Sequence, residues 1–498
     1  MKLWFPRTGL GFGVGALALA STFVSGVAHA QAAPPSVTTP EGSPGAPAAS
    51  GPTTATTPAD AAPPWQERLD EIDRRTRALE TQNAAAAPVR PDNAHPVAAG
   101  PISQADENGF TLVSGDRSYQ VRFKGLLQFD GRAFLGDSTL SPLNTFVVRK
   151  IRPILAGTLL GLTDFYFSPD FGNGTSAGTG TVIVADAFLD THPFPWLRFR
   201  VGKFKQAYGL ERLQADQDLT FIERALDQYL TPQREVGVQV WGDVAGGIVR
   251  YEGNVVNGNP DNSIGDLDNN GPKTLGGRVF IQPFNTDALR GLGRLGVGIA
   301  ASTGTELGTA AAPQLGTVKS AGQNTVFSYL TSTTDTTLNV FASGRHTRIN
   351  PQLYYYTGSF GLLGEWVKEY QEVQQAKLKG AYNNQAGHVT ASAALGGDVT
   401  FEGVKPHHPL DLAAGTYGAL ELGVRYDWIK LDDAAFPTGA TGTSVHEAKS
   451  FGVALNWQLS RNLKLSGNYE QTAFTGGLAK GADRKSENAL IGRFQTAF

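Results

Sequence analysis

Long stretches in which apolar and polar residues alternate one for one leave a chain few choices of fold. Tyr119, Val121, Phe123, Gly125, Leu127 and Phe129 alternate with Gln120, Arg122, Lys124, Leu126, Gln128 and Asp130. A period of two belongs to a β-strand, whose successive side chains leave opposite faces. The pattern returns at 197–201, 424–428, 451–458 and 463–470, and again in the last residues, ENALIGRFQTAF, which end at Phe498. Tracts rich in Gly, Asn, Asp and Thr, at 257–273, 303–325 and 435–446, separate these runs.

Alternation alone fits a soluble sandwich as well as a barrel. In a sandwich the strands are short and the apolar faces meet in one core. Here the polar face carries Arg, Lys, Gln, Asn and Glu together, as a water-filled lumen requires. Trp196, Tyr251, Trp366 and Trp428 are placed where strands are expected to end, which suits aromatic belts at a membrane interface. Mean hydropathy is −0.20, and beyond the N-terminus no apolar run is long enough for a spanning helix. A barrel hides its lipid face in alternation, so a low average is expected of it. At roughly 24 residues per strand and connection, residues 109–498 predict an all-β, transmembrane antiparallel barrel of about sixteen strands.

The N-terminal part reads differently. Lys2 and Arg7, an apolar Gly/Ala-rich stretch, and Ala28-His29-Ala30 make 1–30 a secretory signal. The 498-residue chain holds no Cys, which suits export to an oxidising compartment and excludes disulfides and thiol-ligated metals. Residues 31–64 are Pro, Ala, Ser, Thr and Gly, a composition too poor in apolar groups to fold. In 65–80, Trp65, Leu69, Ile72, Thr76 and Leu79 step by four, three, four and three. That seam predicts a short periplasmic helix, solitary or a trimerising coiled coil. Residues 81–108 return to linker. The expected location is the bacterial outer membrane.

At 199–241 the chain reads FRVGKFKQAYGLERLQADQDLTFIERALDQYLTPQREVGVQVW. This stretch resembles the phosphate-selective porin O/P family, with its "GKF", "FGLE" and "TFIER" elements in order. FVVRKIRPILAGT at 146–158 is similar to that family's second strand. Residues 257–273 and GRVFIQPF at 277–284 resemble its polar outer loop and the strand after it, and PQLYYYTGSFGLLGEW at 351–366 its tyrosine-rich hairpin. The terminal strand ending on Phe498 resembles the closing strand of outer-membrane barrels, where such a residue is read by the insertion machinery. The resemblance implies a sixteen-stranded, homotrimeric, anion-preferring porin, with residues 205–235 as a constriction loop folded into the lumen. It also implies a departure. The specific members place a Lys and a Ser pair at the central anion site; the matching positions here are Arg212, Ala215 and Asp216.

The residues read from the physics agree in part. Fixed cations lining a narrow, low-dielectric passage select anions, and an Arg fork suits phosphate-like ions. Arg122, Lys124, Arg198 and Arg200 fall on polar faces. Arg149, Lys150 and Arg152 form a basic knot, but parity there is mixed and leaves open which two face inward. Singly, each is an ordinary solvated charge; on neighbouring strands they make a lumen lining. Asp216 would repel an anion if it faced the path, and would hold the loop's shape if paired to Arg212 or Arg224.

The expected activity is a water-filled, anion-preferring diffusion channel for phosphate-like or other small anions. A general non-selective porin is the alternative. A barrel enzyme ranks third, since the His and nucleophile it needs on the outer face are not evident. No cofactor or metal is expected. Asp266, Asp268, Asn270 and Gly271 begin a calcium-loop pattern, but Gly277 stands where its bidentate Glu belongs. His407 and His408 are adjacent and read as loop residues. A net charge of −3 gives no nucleic-acid profile. The expected partners are outer-membrane lipid, small anions and two further copies of the chain.

Overall fold

The computed structural model describes residues 100–136, 143–172, 182–263, 268, 271–286 and 289–498. The segments read as signal, first linker and 65–80 helix, and most of the segment read as second linker, lie outside them. Ile102–Asp106, within the segment read as linker, forms a hairpin with Gly109–Val113, which then pairs with the first barrel strand.

Sixteen antiparallel strands form the barrel. They are β1 Gln120–Phe134, β2 Thr145–Leu159, β3 Thr163–Asp170, β4 Ile183–Phe194, β5 Leu197–Lys205, β6 Arg234–Val244, β7 Val249–Val256 and β8 Thr274–Ile281. There follow β9 Arg294–Leu307, β10 Val340–Thr357, β11 Phe360–Gln375, β12 Leu378–Leu395, β13 Ala419–Lys430, β14 Val445–Gln458, β15 Leu463–Gly476 and β16 Glu487–Ala497. Each pairs with the next, and β16 pairs with β1 from Ala489↔Phe134 to Ala497↔Leu126, so the sixteen strands close on themselves. Phe498 completes the seam: Gly125 N donates to its carbonyl at 2.8 Å, and its own N donates to Gly125 O at 3.0 Å.

The burial pattern is inside out. On β13, Glu421 and Asp427 are 4% and 0% exposed, while Leu422 and Tyr426 are 54% and 47% exposed. A soluble sheet would bury the leucine. Polar side chains buried among one another inside, with an apolar outer wall, are what a lipid-facing barrel requires. The strand periodicity is therefore correct, with small departures. Residues 303–307, expected in a connection, extend β9, and Trp366 sits well inside β11 rather than at an end.

Most long connections lie at one rim and most short turns at the other. Among the described residues, at least three connections fold inward. The one between β5 and β6, residues 206–233, crosses the lumen and carries an α-helical turn, α1 Leu210–Leu213, and a 3-10 turn, Leu226–Leu230. The one between β9 and β10 sends Val318, Val326, Phe327 and Tyr329 against Leu226, Tyr229 and Leu230 of the first. From the short-turn rim, the connection between β12 and β13 forms a hairpin, Gly397–Thr400 with Gly403–Pro406. Its Val399 packs with Leu210, Phe280, Tyr354 and Tyr356. These apolar clusters fill the lumen beside β8–β14, and the main polar cavities lie beside β1–β6.

Candidate functional site

The crossing loop turns off β5 at Gly209, whose φ of 74° suits glycine and where a Cβ would stand 2.9 Å from the Arg212 Cβ. The barrel wall then satisfies the loop's backbone. Glu365 of β11 accepts from Leu210 N and Glu211 N at 2.6 and 2.8 Å. Asn468 of β15 accepts from Ile222 N at 2.6 Å, and Asn456 and Lys464 donate to the carbonyls of Thr220 and Leu219 at 2.8 and 3.0 Å. Asp227 bonds His388 Nδ1 of β12 at 2.9 Å. Buried backbone groups need such partners, so the loop's path is fixed by side chains of the opposite wall.

Across the lumen the loop meets β2. The register between β1 and β2 slips between Gln128↔Lys150 and Phe129↔Val148, leaving Arg149 as the extra residue of a β-bulge. A bulge lets successive residues reach one face. Arg149 Nη2 lies 3.1 Å from Glu223 Oε2, and Lys150 binds Asp216. Arg152 reaches Asp216 at 2.5 Å and Asp170 at 2.6 Å. The mixed parity of this strand is thereby resolved: all three cations point into the lumen.

Asp216 is the hub. Besides Lys150 and Arg152 it holds Arg224 at 2.7 Å. Burial pushes its carboxyl up, but Lys150, Arg224, Arg152 and Lys205 outweigh this and hold it well below the usual carboxylate range. Glu223 is likewise raised by burial, and Arg149 and Arg132 bring it down to about 2. Both are carboxylates at any physiological pH. Arg212 does not pair with Asp216; it donates to Gln228 O at 2.6 Å and Asn262 Oδ1 at 3.0 Å, holding loop to loop.

Two cavities meet at this barrier, sharing Arg152, Asp216 and Arg234 in their linings. The one toward the long-loop rim, about 350 Å³, is lined by eight cationic side chains and three carboxylates; Asp130 and Asp186, just behind the lining, pair Arg493 and Arg234 at 2.7 and 3.0 Å, which leaves a surplus of three. Arg149, Lys150 and Arg212 were expected on the path; Arg152 belongs to the knot whose inward pair the sequence leaves open, and Arg224 was expected only as a partner for Asp216. Arg493 and Lys319 were not singled out, and nor was Arg132, which binds Glu223 at 2.8 Å. Arg132 and Arg493 continue the polar faces of their strands, so the alternation could have found them. The cavity toward the short-turn rim, about 460 Å³, is lined by six cations and five carboxylates and is nearly balanced. Lys124 lines it, and Arg122 is exposed at the start of β1.

Arg198 and Arg200 are placed on the wall but engaged. Arg198 pairs with Asp190 at 3.0 Å and Asp164 at 3.2 Å, and Arg200 with Asp190 at 2.7 Å. Their guanidiniums lie over the Trp241 ring at 4.3 and 5.4 Å.

A family model described as phosphate-selective porin O and P matches residues 121–498. Among solved structures, the chain is similar to an anion-selective porin from Comamonas acidovorans, at 12% identity over 76% of this chain and 100% of that one, with a TM-score of 0.47. It is similar to the outer membrane channel DcaP of Acinetobacter baumannii at 10% identity over 80% and 99%, with a TM-score of 0.46. The third is OprB of Pseudomonas putida, at 9% identity over 77% and 95%, with a TM-score of 0.48. No curated protein sequence matches. The family match spans the whole barrel with its crossing loop, and the chain belongs to the phosphate-selective porin O and P family of bacterial outer-membrane β-barrel porins.

Proposed function

We propose that the channel passes small anions by diffusion, drawn by the cation surplus of the outer cavity rather than held in a tight site. The observation that carries this reading is the excess of three positive side chains around the outer cavity once Asp130 and Asp186 are counted, set against near balance below the barrier. A low-dielectric wall focuses that field on the narrowest passage. Asp216 stands amid Lys150, Arg152 and Arg224 and takes the place an anion would occupy between them. A desolvated phosphate would have to displace a carboxylate already bound. Attraction at a distance survives this arrangement; tight phosphate binding does not.

The zero-current potential of single channels in a KCl gradient tests the reading. An anion-selective sign is expected, with little block of chloride current by phosphate. A cation-selective sign at low salt overturns it. The assembly is proposed to be a homotrimer packed through the outer wall of β15, β16, β1 and β2. There Gly467, Gly492 and Gly131 align in register, and Phe146 beside them is 94% exposed.

A further inference from the structure

We propose that Asp261, His346 and Glu369 form a site for a divalent transition-metal ion of the zinc type, pinning the connection between β7 and β8 to the barrel wall. The three come from separate elements: the 257–273 connection, β10 and β11. Their ligand atoms lie within 4.8 Å of one another, and all three side chains are buried. His346 Nε2 is 2.7 Å from Glu369 Oε1 and 3.6 Å from Asp261 Oδ2. Nitrogen and oxygen ligands arranged tetrahedrally about zinc stand roughly 3.4 Å apart. Seating the ion replaces the proton between His346 and Glu369 and opens that pair by less than about 1 Å.

The surroundings are those of a metal-bound imidazole. His346 Nδ1 lies 2.8 Å from Glu306 Oε2. Donating its Nδ1 hydrogen there fixes the tautomer and leaves the Nε2 lone pair facing Asp261 and Glu369. Glu369 Oε2 accepts from Asn384 Nδ2 at 2.7 Å. Arg348 holds both oxygens of Asp261, at 2.6 and 3.1 Å, and its Nη2 also stands 3.2 Å from His346 Nδ1. The oxygens and the imidazole are thus oriented before any ion arrives.

Charge makes a second, independent case. Glu306, Asp261 and Glu369 contribute three negative charges and Arg348 one positive, all buried. With a neutral His346 the group carries two negative charges, and one divalent ion cancels them. An imidazolium in its place leaves one negative charge uncompensated, which is costly out of water. There is also space. A cavity of about 20 Å³ is lined by Asp261, His346, Glu369 and Glu306, enough for one ion or water. Zinc suits a set of one imidazole and carboxylates. In the other buried cluster, Glu211, Asp227 and His388, the imidazole Nδ1 is engaged by Asp227 at 2.9 Å, and Arg425 stands 3.5 Å from Glu211 and 2.9 Å from Asp427 and Glu470.

The test uses the full-length protein folded in detergent, stripped with EDTA, titrated with zinc chloride and desalted. Elemental analysis should find one zinc per chain, and X-ray absorption at the zinc edge should show imidazole nitrogen with carboxylate oxygen. His346→Gln and Asp261→Asn should each weaken zinc binding by more than roughly tenfold, and Glu306→Gln by about tenfold. His388→Gln should bind as the wild type does. Folded wild-type protein that keeps no zinc overturns the proposal whatever the variants do, and leaves an imidazolium clamp in its place. Equal retention by a folded His346→Gln variant overturns it as well.

Discussion

Arg152 Nη1 lies 2.5 Å from Asp216 Oδ2, joining the barrel wall to the crossing loop at the meeting of the two lumenal cavities. The carboxylate neutralises part of a cation cluster that would otherwise be the strongest anion site in the pore. Asp216→Asn keeps the size and removes the charge. Phosphate should then block chloride current about tenfold more tightly, the equivalent of roughly 1.4 kcal/mol. Ala215→Ser with Asp216→Ser should strengthen the block further by adding hydroxyl donors. Phosphate titrations on single channels check both. An unchanged block would show that the cations are held away from the path.

The outer-cavity surplus predicts a salt dependence. Water-exposed charges act over about 10 Å at 0.1 M salt and about 3 Å at 1 M. Anion preference should therefore fade steadily across that range. A preference independent of salt would indicate a desolvated binding site instead.

Arg149 and Lys150 reach the lumen together because of the bulge. Replacing both by Ala removes two of the eight outer cations and should move the zero-current potential toward cation selectivity. Glu223 keeps Arg132 at 2.8 Å, so the loop should stay in place. Arg198→Ala should shift the potential less, because that guanidinium lines neither cavity and is engaged by Asp190 and Asp164.

The strands were legible because lipid outside and water inside impose a period of two on every one of them. β2 resisted at its basic knot for a physical reason: a bulge changes parity at Arg149, and a bulge depends on the partner strand as much as on local sequence. Arg212 is a different case. Its position in the loop was right, but its direction is set by Gln228 and Asn262, which lie far from it in sequence. The inward hairpin, Gly397–Thr400 with Gly403–Pro406, carries no local sign of entering the lumen. Only its docking on Leu210, Tyr354 and Tyr356 makes it an obstruction. Lys319 arrives the same way, carried inward by the packing of Val318 and Phe327.

Closure of the barrel gives a prediction about assembly. A Cβ on Gly125 would stand 2.5 Å from the Phe498 ring, so the glycine is needed where the terminal aromatic crosses β1. Phe110 and Phe123 approach that ring at 6.3 and 6.4 Å between centroids. Gly125→Val or deletion of Phe498 should slow folding into the heat-resistant barrel and leave protein in the periplasm. Fractionation of cells expressing each variant checks this. Normal assembly of both would show that the seam closes without its last pair.

The pore should also respond to pH through Asp218, on the crossing loop beside the lower cavity. Burial raises its carboxyl to about 6, against the pull of Lys464 and with the help of Glu402. Above pH 6 it bears a negative charge, and the lower cavity has six cations against five carboxylates. Below pH 6 it takes up a proton, and the balance becomes six against four. Anion preference should therefore rise as pH falls from about 7 to about 5, half of the change lying near 6. The more deeply buried Asp216 and Glu223 stay ionised through this range, since the cations around them hold them low. Asp218→Asn should show the low-pH selectivity at every pH in the window, with the step gone. A wild-type potential flat between pH 5 and 7, or a step that persists in Asp218→Asn, would assign the titration elsewhere.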